Sequence, residues 1–253
     1  FESEQAATVR IEYWAEPHFD DNKFQSYDAA IQRGSAETRT FATAPHTGVI
    51  ELSGLNPGWM IHYTVRVDGH AVRAVTPQVF CLMTPDARDV SSTEVPSFVV
   101  GFGSCIFTAR IPVQRIWTQV ARHRPAAFLF LGDNIYLPSK VAAFEADGET
   151  VRYALANLNR IARNVAGLQT IMATTPCYAI WDDHDFGPDN SDRTFRGRED
   201  SLEMFTRYWP NPAAGTKETP GVFHSFTIAD VEFFMLDDRY HRDPNKAPDR
   251  HTM

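Results

Sequence analysis

Three short stretches of the sequence place side chains that can bind metals directly after apolar runs. Phe128, Leu129, Phe130 and Leu131 are followed by Gly132, Asp133, Asn134, Ile135 and Tyr136. Tyr178, Ala179, Ile180 and Trp181 are followed by Asp182, Asp183, His184 and Asp185. The run Phe98–Cys105, FVVGFGSC, ends in Gly103, Ser104 and Cys105. Carboxylate oxygens suit hard cations, and imidazole suits the borderline metals. Carboxylates crowded around one imidazole at a strand end are costly unless cations or hydrogen bonds offset their charge. Taken singly, Asp133 reads as a cap and Cys105 as a small buried hydrophobe. It is the repetition at successive strand ends that points to metal chemistry.

Each of these stretches needs an element to hold it. The continuous run Phe128–Leu131 predicts a strand covered on both faces, as in a parallel or mixed α/β sheet. Gly132 lets the chain turn away where that strand stops. Open α/β sheets place ligands beyond the carboxyl ends of their strands, where Asp133, Tyr136 and Asp182–Asp185 fall. Val113, Ile116, Trp117 and Val120 lie near helical spacing, with Pro112 suited to a first turn. This predicts a helix over Val113–His123 linking the Cys105 and Asp133 strands in a right-handed βαβ unit. Thr150–Ala173 reads as one long helical region, with Arg152, Arg160 and Arg163 on its solvated face. Ser201–Trp209 reads as a shorter helix stopped by Pro210 and Pro212. Phe223–Phe226 and Val231–Leu236 read as strands joined through Ala229-Asp230.

Residues 98–253 therefore show the α/β pattern. Residues 1–90 differ: Thr8–Trp14, Thr38–Thr43, Gly48–Leu52, His62–Val67 and Val72–Leu82 read as short strands between turn signals, among them Asp68-Gly69. No helical pattern interrupts them, so an all-β sandwich is expected. The stretch from Leu52 to Val65 is similar to a fibronectin type III or other immunoglobulin-like domain, with Tyr63 as a packing residue. Residues 84–97, polar and without periodicity, read as a linker. The expected division is residues 1–90 as a β-sandwich and 91–253 as a catalytic domain.

The motifs GSC at Gly103–Cys105, GDNIY at Gly132–Tyr136 and WDDHDFGPDN at Trp181–Asn190 together resemble the PhoD-like alkaline phosphatases, within the metallophosphoesterase (calcineurin-like) superfamily. YWPNP at Tyr208–Pro212 and GVFHSFTIADVEFFMLDDRYHRDP at Gly221–Pro244 extend the resemblance over residues 98–253. It implies a hydrolase of phosphate monoesters or diesters with an alkaline optimum and a metal-activated hydroxide as nucleophile. It also implies that Cys105, Asp133 and Tyr136 ligate Fe(3+), with Asp133 bridging to a second metal. Ca(2+) is the implied second metal type, held by Asp183 and, less centrally, by Asp182, which alternatively acts as a cap. Zinc, manganese and magnesium stay open as alternatives. His184 takes the place of a histidine that stabilises the phosphoryl group or protonates the leaving group, and Asp185 is expected to orient it. Asp189-Asn190 either holds the loop or brings Asn190 to the metals. Asp237, Asp238 and Arg239 read as an ion pair and cap, with phosphate contact as the alternative for Arg239. His224 and His241 read as structural. Relatives continue into a further segment that supplies a last metal-binding strand end, so the chain reads as a fragment or a processed part.

The balance of 24 basic and 32 acidic residues, a net charge of −8, argues against nucleic acid or an anionic membrane as the main partner. A phosphate-ester substrate is the expected partner. No apolar run approaches the roughly 20 residues of a transmembrane helix, and no signal-peptide pattern is visible. Resemblance alone implies a periplasmic or extracellular location. The three cysteines, Cys81, Cys105 and Cys177, have no framework spacing, so no disulfide scaffold is expected. A reading of a different class is a secreted or cell-surface binding module with an inactive phosphatase-like domain. The intact Cys105, Asp133, Tyr136, Asp183 and His184 set argues against it.

Overall fold

The computed structural model describes residues 2–17, 31–56, 59–72, 78–80, 97–108, 110–138 and 148–246. The chain divides into two compact units. The first comprises residues 1–98, 172–176 and 227–231, and the second comprises the rest.

The first unit is built on antiparallel strands: β1 (Glu2–Ser3), β2 (Thr8–Pro17), β3 (Gln32–Arg39), β4 (His46–Thr47), β5 (Trp59–Val67), β6 (His70–Ala71) and β7 (Gln78–Phe80). β2 pairs with β3 from Thr8 opposite Arg39 to Ala15 opposite Gln32, and with β5 from Val9 opposite Val67 to Pro17 opposite Trp59. β6 and β7 both pair with β5, and β1 pairs with β4. Asp68 and Gly69 take positive φ values of 46° and 80°, as a tight hairpin turn requires. Asp68 Oδ1 accepts from the Thr8 N–H at 2.9 Å, tying the turn to the start of β2. Val9, Ala15 and Ile61 are buried in this unit.

Of the expected strand Val72–Leu82 only Gln78–Phe80 is a strand among the described residues, and residues 73–77, 81 and 82 and nearly all of the expected linker 84–97 lie outside them. Two further expected strands differ here. The third strand runs over Gln32–Arg39 rather than Thr38–Thr43, because its pairing with the long β2 extends through Gln32. Gly48–Leu52 forms no strand. The pairing at that point is the short β4, and the chain beyond has no ladder partner among the described residues.

The second unit holds β8 (Val100–Gly103), α1 (Ile116–Arg122), β9 (Ala127–Leu131), α2 (Gly148–Arg163), β10 (Cys177–Ile180), α4 (Asp183–Phe186) and α5 (Arg198–Tyr208), together with most of α3 (Ala166–Thr174), β11 (His224–Ile228) and β12 (Val231–Met235), whose remaining residues fall in the first. β9 lies between two parallel neighbours. Val100 to Gly103 of β8 face Ala127 to Phe130, and Cys177 to Ile180 of β10 face Phe128 to Leu131. Residues 127 to 130 are buried, as the unbroken apolar run requires.

Aromatic side chains fill the core around β9. Trp117 of α1 meets Phe128 edge-on at 5.5 Å, and Phe130 packs against Trp209 at 4.9 Å. Trp181 contacts Phe186 and Phe205 at 5.0 and 5.4 Å. The region expected as one helix is two, broken after Arg163 at Asn164-Val165. Asn164 ends a helix readily, and Gly167, just beyond, sits against Trp117 where an added Cβ would lie 2.8 Å from the Trp117 Cβ. Arg163 does not lie on a solvated face. Its Nη2 donates to the Tyr208 carbonyl at 2.9 Å, and its guanidinium stands 4.6 Å from the Trp209 ring centre. Arg152 pairs with Asp200 of α5. These contacts fasten α2 to α5. No helix among the described residues is long and apolar enough to cross a membrane.

Candidate metal centre

The parallel arrangement sends the ends of β8, β9 and β10 in one direction. Past β8, the Cys105 N–H bonds to the Gly132 carbonyl at 3.1 Å, and the Ile106 N–H bonds to the Asp133 carbonyl at 2.8 Å. These bonds carry the β8–β9 pairing past the strands and bring Cys105 beside Asp133. Gly132 takes φ 96°, and a Cβ there would lie 2.6 Å from the Asp182 backbone nitrogen. Only glycine lets the ends of β9 and β10 approach so closely.

Cys105 and Asp133 both have left-handed backbone, with φ of 61° and 52°. Non-glycine residues rarely adopt this conformation, and it concentrates at functional sites. The Cys105 thiol reaches Asp133 Oδ2 at 3.7 Å. Burial pushes the Tyr136 phenol up, and the neighbouring Cys105 and Asp133 push it further. The Tyr136 ring stacks on Phe107 at 4.3 Å and lies 4.5 Å from the His184 ring.

From the β10 side, α4 begins directly after Asp182. One ligand atom each from Asp133, Asp183 and His184 lies within 4.8 Å of the others. Asp133 and Asp183 are buried. Burial pushes the Asp133 carboxyl up, opposed by His184 and reinforced by the charges of Asp182 and Asp183. Asp133 Oδ1 and His184 Nδ1 are buried without a hydrogen-bond partner. Buried acceptors left open in this way are what a cation would satisfy. The donor set of carboxylates, imidazole, thiol and phenol fits a metal.

Asp182, expected at the second metal or as a cap, stands at the N-cap of α4 in a capping box with Asp185 and is paired with Arg239. Its Oδ1 accepts from Arg239 Nε at 2.6 Å and from a second guanidinium nitrogen. Burial pushes the Asp182 carboxyl up, but the hydrogen bond and charge of Arg239 outweigh this and hold it below the ordinary value. Burial and the Asp182 charge push Asp238, which approaches the same guanidinium Nε at 3.6 Å, up to about 7. Arg239 is buried in this ion cluster, the internal pairing expected of it. Asp237 accepts from the Trp181 indole and from the N–H groups of Val222, Arg239 and Tyr240.

Asp185 also departs from its expected role. It does not face His184 Nδ1, which has no partner. Its carboxylate accepts instead from the backbone N–H groups of Asn134, Ile135 and Asp182. Burial pushes it up to about 8 against the pull of these donors. Asn190 holds the loop: its backbone N–H donates to Asp183 Oδ2, and its amide donates to Asp189 at 2.8 Å. The contribution of that backbone N–H was not legible in the sequence, since φ 60° at Asn190 aims it. Among the described residues neither Cys105 nor Cys177 is in a disulfide, and Cys81 lies outside them. His224 and His241 each hydrogen-bond to a backbone carbonyl.

The profile of the family described as PhoD-like phosphatase matches residues 101–253, well over half of the chain. The chain belongs to the PhoD-like phosphatase family. Two solved structures extend the similarity. The structure of PhoD superposes with a TM-score of 0.62 at 17% identity, covering 95% of this chain and 47% of that one. Purple acid phosphatase PPD1 from yellow lupin (Lupinus luteus) seeds superposes with a TM-score of 0.53 at 12% identity, covering 95% of this chain and 42% of that one. At these identities the likeness is one of fold: an α/β metallophosphoesterase-like fold related to PhoD. The chain spans about half the length of either protein. No curated protein sequence matches.

Proposed function

We propose that this chain hydrolyses phosphate monoesters or diesters at a metal centre held by Cys105, Asp133, Tyr136 and Asp183, with His184 beside it to meet the phosphoryl group. The observation that carries the reading is the convergence of these side chains beyond three parallel strand ends, with buried polar atoms of Asp133 and His184 left open. Thiolate and phenolate donors at Cys105 and Tyr136 favour Fe(3+) beside Asp133. Asp183 and its neighbouring carboxylates favour a hard cation such as Ca(2+) as the second metal. Asp133, between the two ligand groups, is the bridging candidate.

Metals bound here would supply Lewis-acid activation of water and neutralise the phosphoryl oxygens. The protein's own contribution is positional. Asp183 is oriented by the Asn190 N–H, and Tyr136 is fixed by Phe107. His184, with one nitrogen 3.8 Å from Asp189 and the other unpartnered, is suited to bind a phosphoryl oxygen or protonate the leaving group. Cys105 and Tyr136 would hold the metal as thiolate and phenolate, so metal uptake would release protons; the alkaline working range rests on family resemblance. By family resemblance the protein acts in the periplasm or outside the cell. The antiparallel sheet of residues 2–80 is read as an immunoglobulin- or fibronectin-like domain, and residues 91–253 as the catalytic domain.

Elemental analysis of the purified protein tests this directly, with Cys105→Ala and Asp133→Asn alongside. Iron with calcium in the parent, iron lost from both variants, and phosphate-ester turnover lost by at least about a hundredfold in Asp133→Asn are expected. A folded parent that binds no metal, or turnover untouched by Asp133→Asn, would refute the assignment.

A further inference from the structure

We infer that Asp185 is a positioning residue, a buried carboxylate that locks the strand end carrying Asp133 and Tyr136 to the one carrying Asp183 and His184. This rests on the proposed metal centre, with Asp133, Tyr136 and Asp183 as ligands and His184 beside them. Asp185 Oδ1 accepts from the Asn134 N–H at 3.0 Å and the Ile135 N–H at 3.2 Å. Those two amides lie between Asp133 and Tyr136 in the chain. Oδ2 accepts from the Asp182 N–H at 3.2 Å, at the end of β10, and from the Asn134 N–H at 3.2 Å.

An acidic residue in the first turn of a helix needs only the local bond to Asp182 to complete a capping box. The bonds to Asn134 and Ile135 cross 51 and 50 positions and serve no helix end. They satisfy backbone donors of a sharply turned segment and fix its position relative to α4. A second link has the same direction: the Asn134 amide donates to the Ile180 carbonyl at 2.9 Å. Asp185 is 3% exposed, so water cannot take over its role. Metal ligands set wrongly by even about 1 Å lose much of their value.

The test uses Asp185→Asn. The variant keeps the shape and one oxygen but turns an NH2 group toward N–H donors, so it cannot hold both strand ends. The probe is Mn2+, with affinity read by electron paramagnetic resonance at a temperature where circular dichroism shows each protein folded. The control is Asp243→Asn, which alters another buried carboxylate, paired with Arg193. Weakening of Mn2+ binding by about 10- to 100-fold in Asp185→Asn, with little change in Asp243→Asn, is expected. Faster hydrogen exchange at the Asn134 and Ile135 amides should accompany it. Unchanged Mn2+ affinity in Asp185→Asn, or an equal loss in Asp243→Asn, would overturn the inference while leaving the metal centre standing. Should the parent bind no Mn2+, the assignment of the ligands fails instead. The exchange measurement then decides the lock alone: accelerated exchange supports it and unchanged exchange removes it.

Discussion

His224 shows how one side chain outside the ligand set controls the response to acid. Its Nδ1 lies 2.9 Å from the Val222 carbonyl. A carbonyl only accepts, so Nδ1 carries the proton and the bare nitrogen is Nε2, which is buried without a partner. Burial lowers the His224 pKa from its ordinary 6.5. Below that value the unfolded chain takes up the proton before the folded one does, so stability falls as pH falls. The Tm of the parent minus that of His224→Gln should fall as the pH goes from about 7.5 to about 5. A difference constant over that range would contradict this. At this scale the sequence displays ligand types well, because Cys105, Asp133, Tyr136, Asp183 and His184 sit in contiguous motifs. It does not display partners. The Arg239 that occupies Asp182 is 57 positions away, and the donors that occupy Asp185 are backbone groups, which every residue type but proline carries alike.

Strand ends and turns form the next scale, and Gly132 is their hinge. Gly132→Ala would force a Cβ against the Asp182 backbone at positive φ. A loss of roughly 1–3 kcal/mol is expected from the backbone conformation alone, with the contact adding to it. Denaturant unfolding reads the stability, and metal content reads the separation of the strand ends. Stability and metal content both unchanged would show that the close approach is not needed. β9 was readable because burial on both faces leaves an unbroken apolar run; β8 and β10 carry apolar runs too, although Phe102 of β8 is exposed and only Ala179 of β10 is buried. The break between α2 and α3 was not, since the apolar stripe continues through it with Val165, Leu168 and Ile171 buried. Arg163 was misplaced for a related reason. A guanidinium that stacks on Trp209 and caps the carbonyl of Tyr208 has the same sequence signature as one in water.

For the molecule as a whole, metal binding and folding stability should be linked. A metal that binds the folded state only, at about a hundredfold above its dissociation constant, adds about 2.7 kcal/mol. Chelation should therefore lower the Tm of the purified protein, and returning the metal should restore it. A Tm indifferent to chelation would argue that the centre is empty in the protein as purified. The α/β character of residues 98–253 was legible from strands alternating with helical stretches, whereas the division into two units is a property of contacts between distant segments. The left-handed backbone at Cys105 and Asp133 bears on how such a protein changes over generations. Replacing Cys105 with glycine relieves the chain by roughly 1 kcal/mol and deletes a ligand in the same step. Where no metal is bound, mutational drift under selection for folding alone therefore runs downhill, away from the metal. The return step must reinstate a strained residue before any metal is there to reward it. Loss of activity in a lineage descended from this chain would behave as a ratchet.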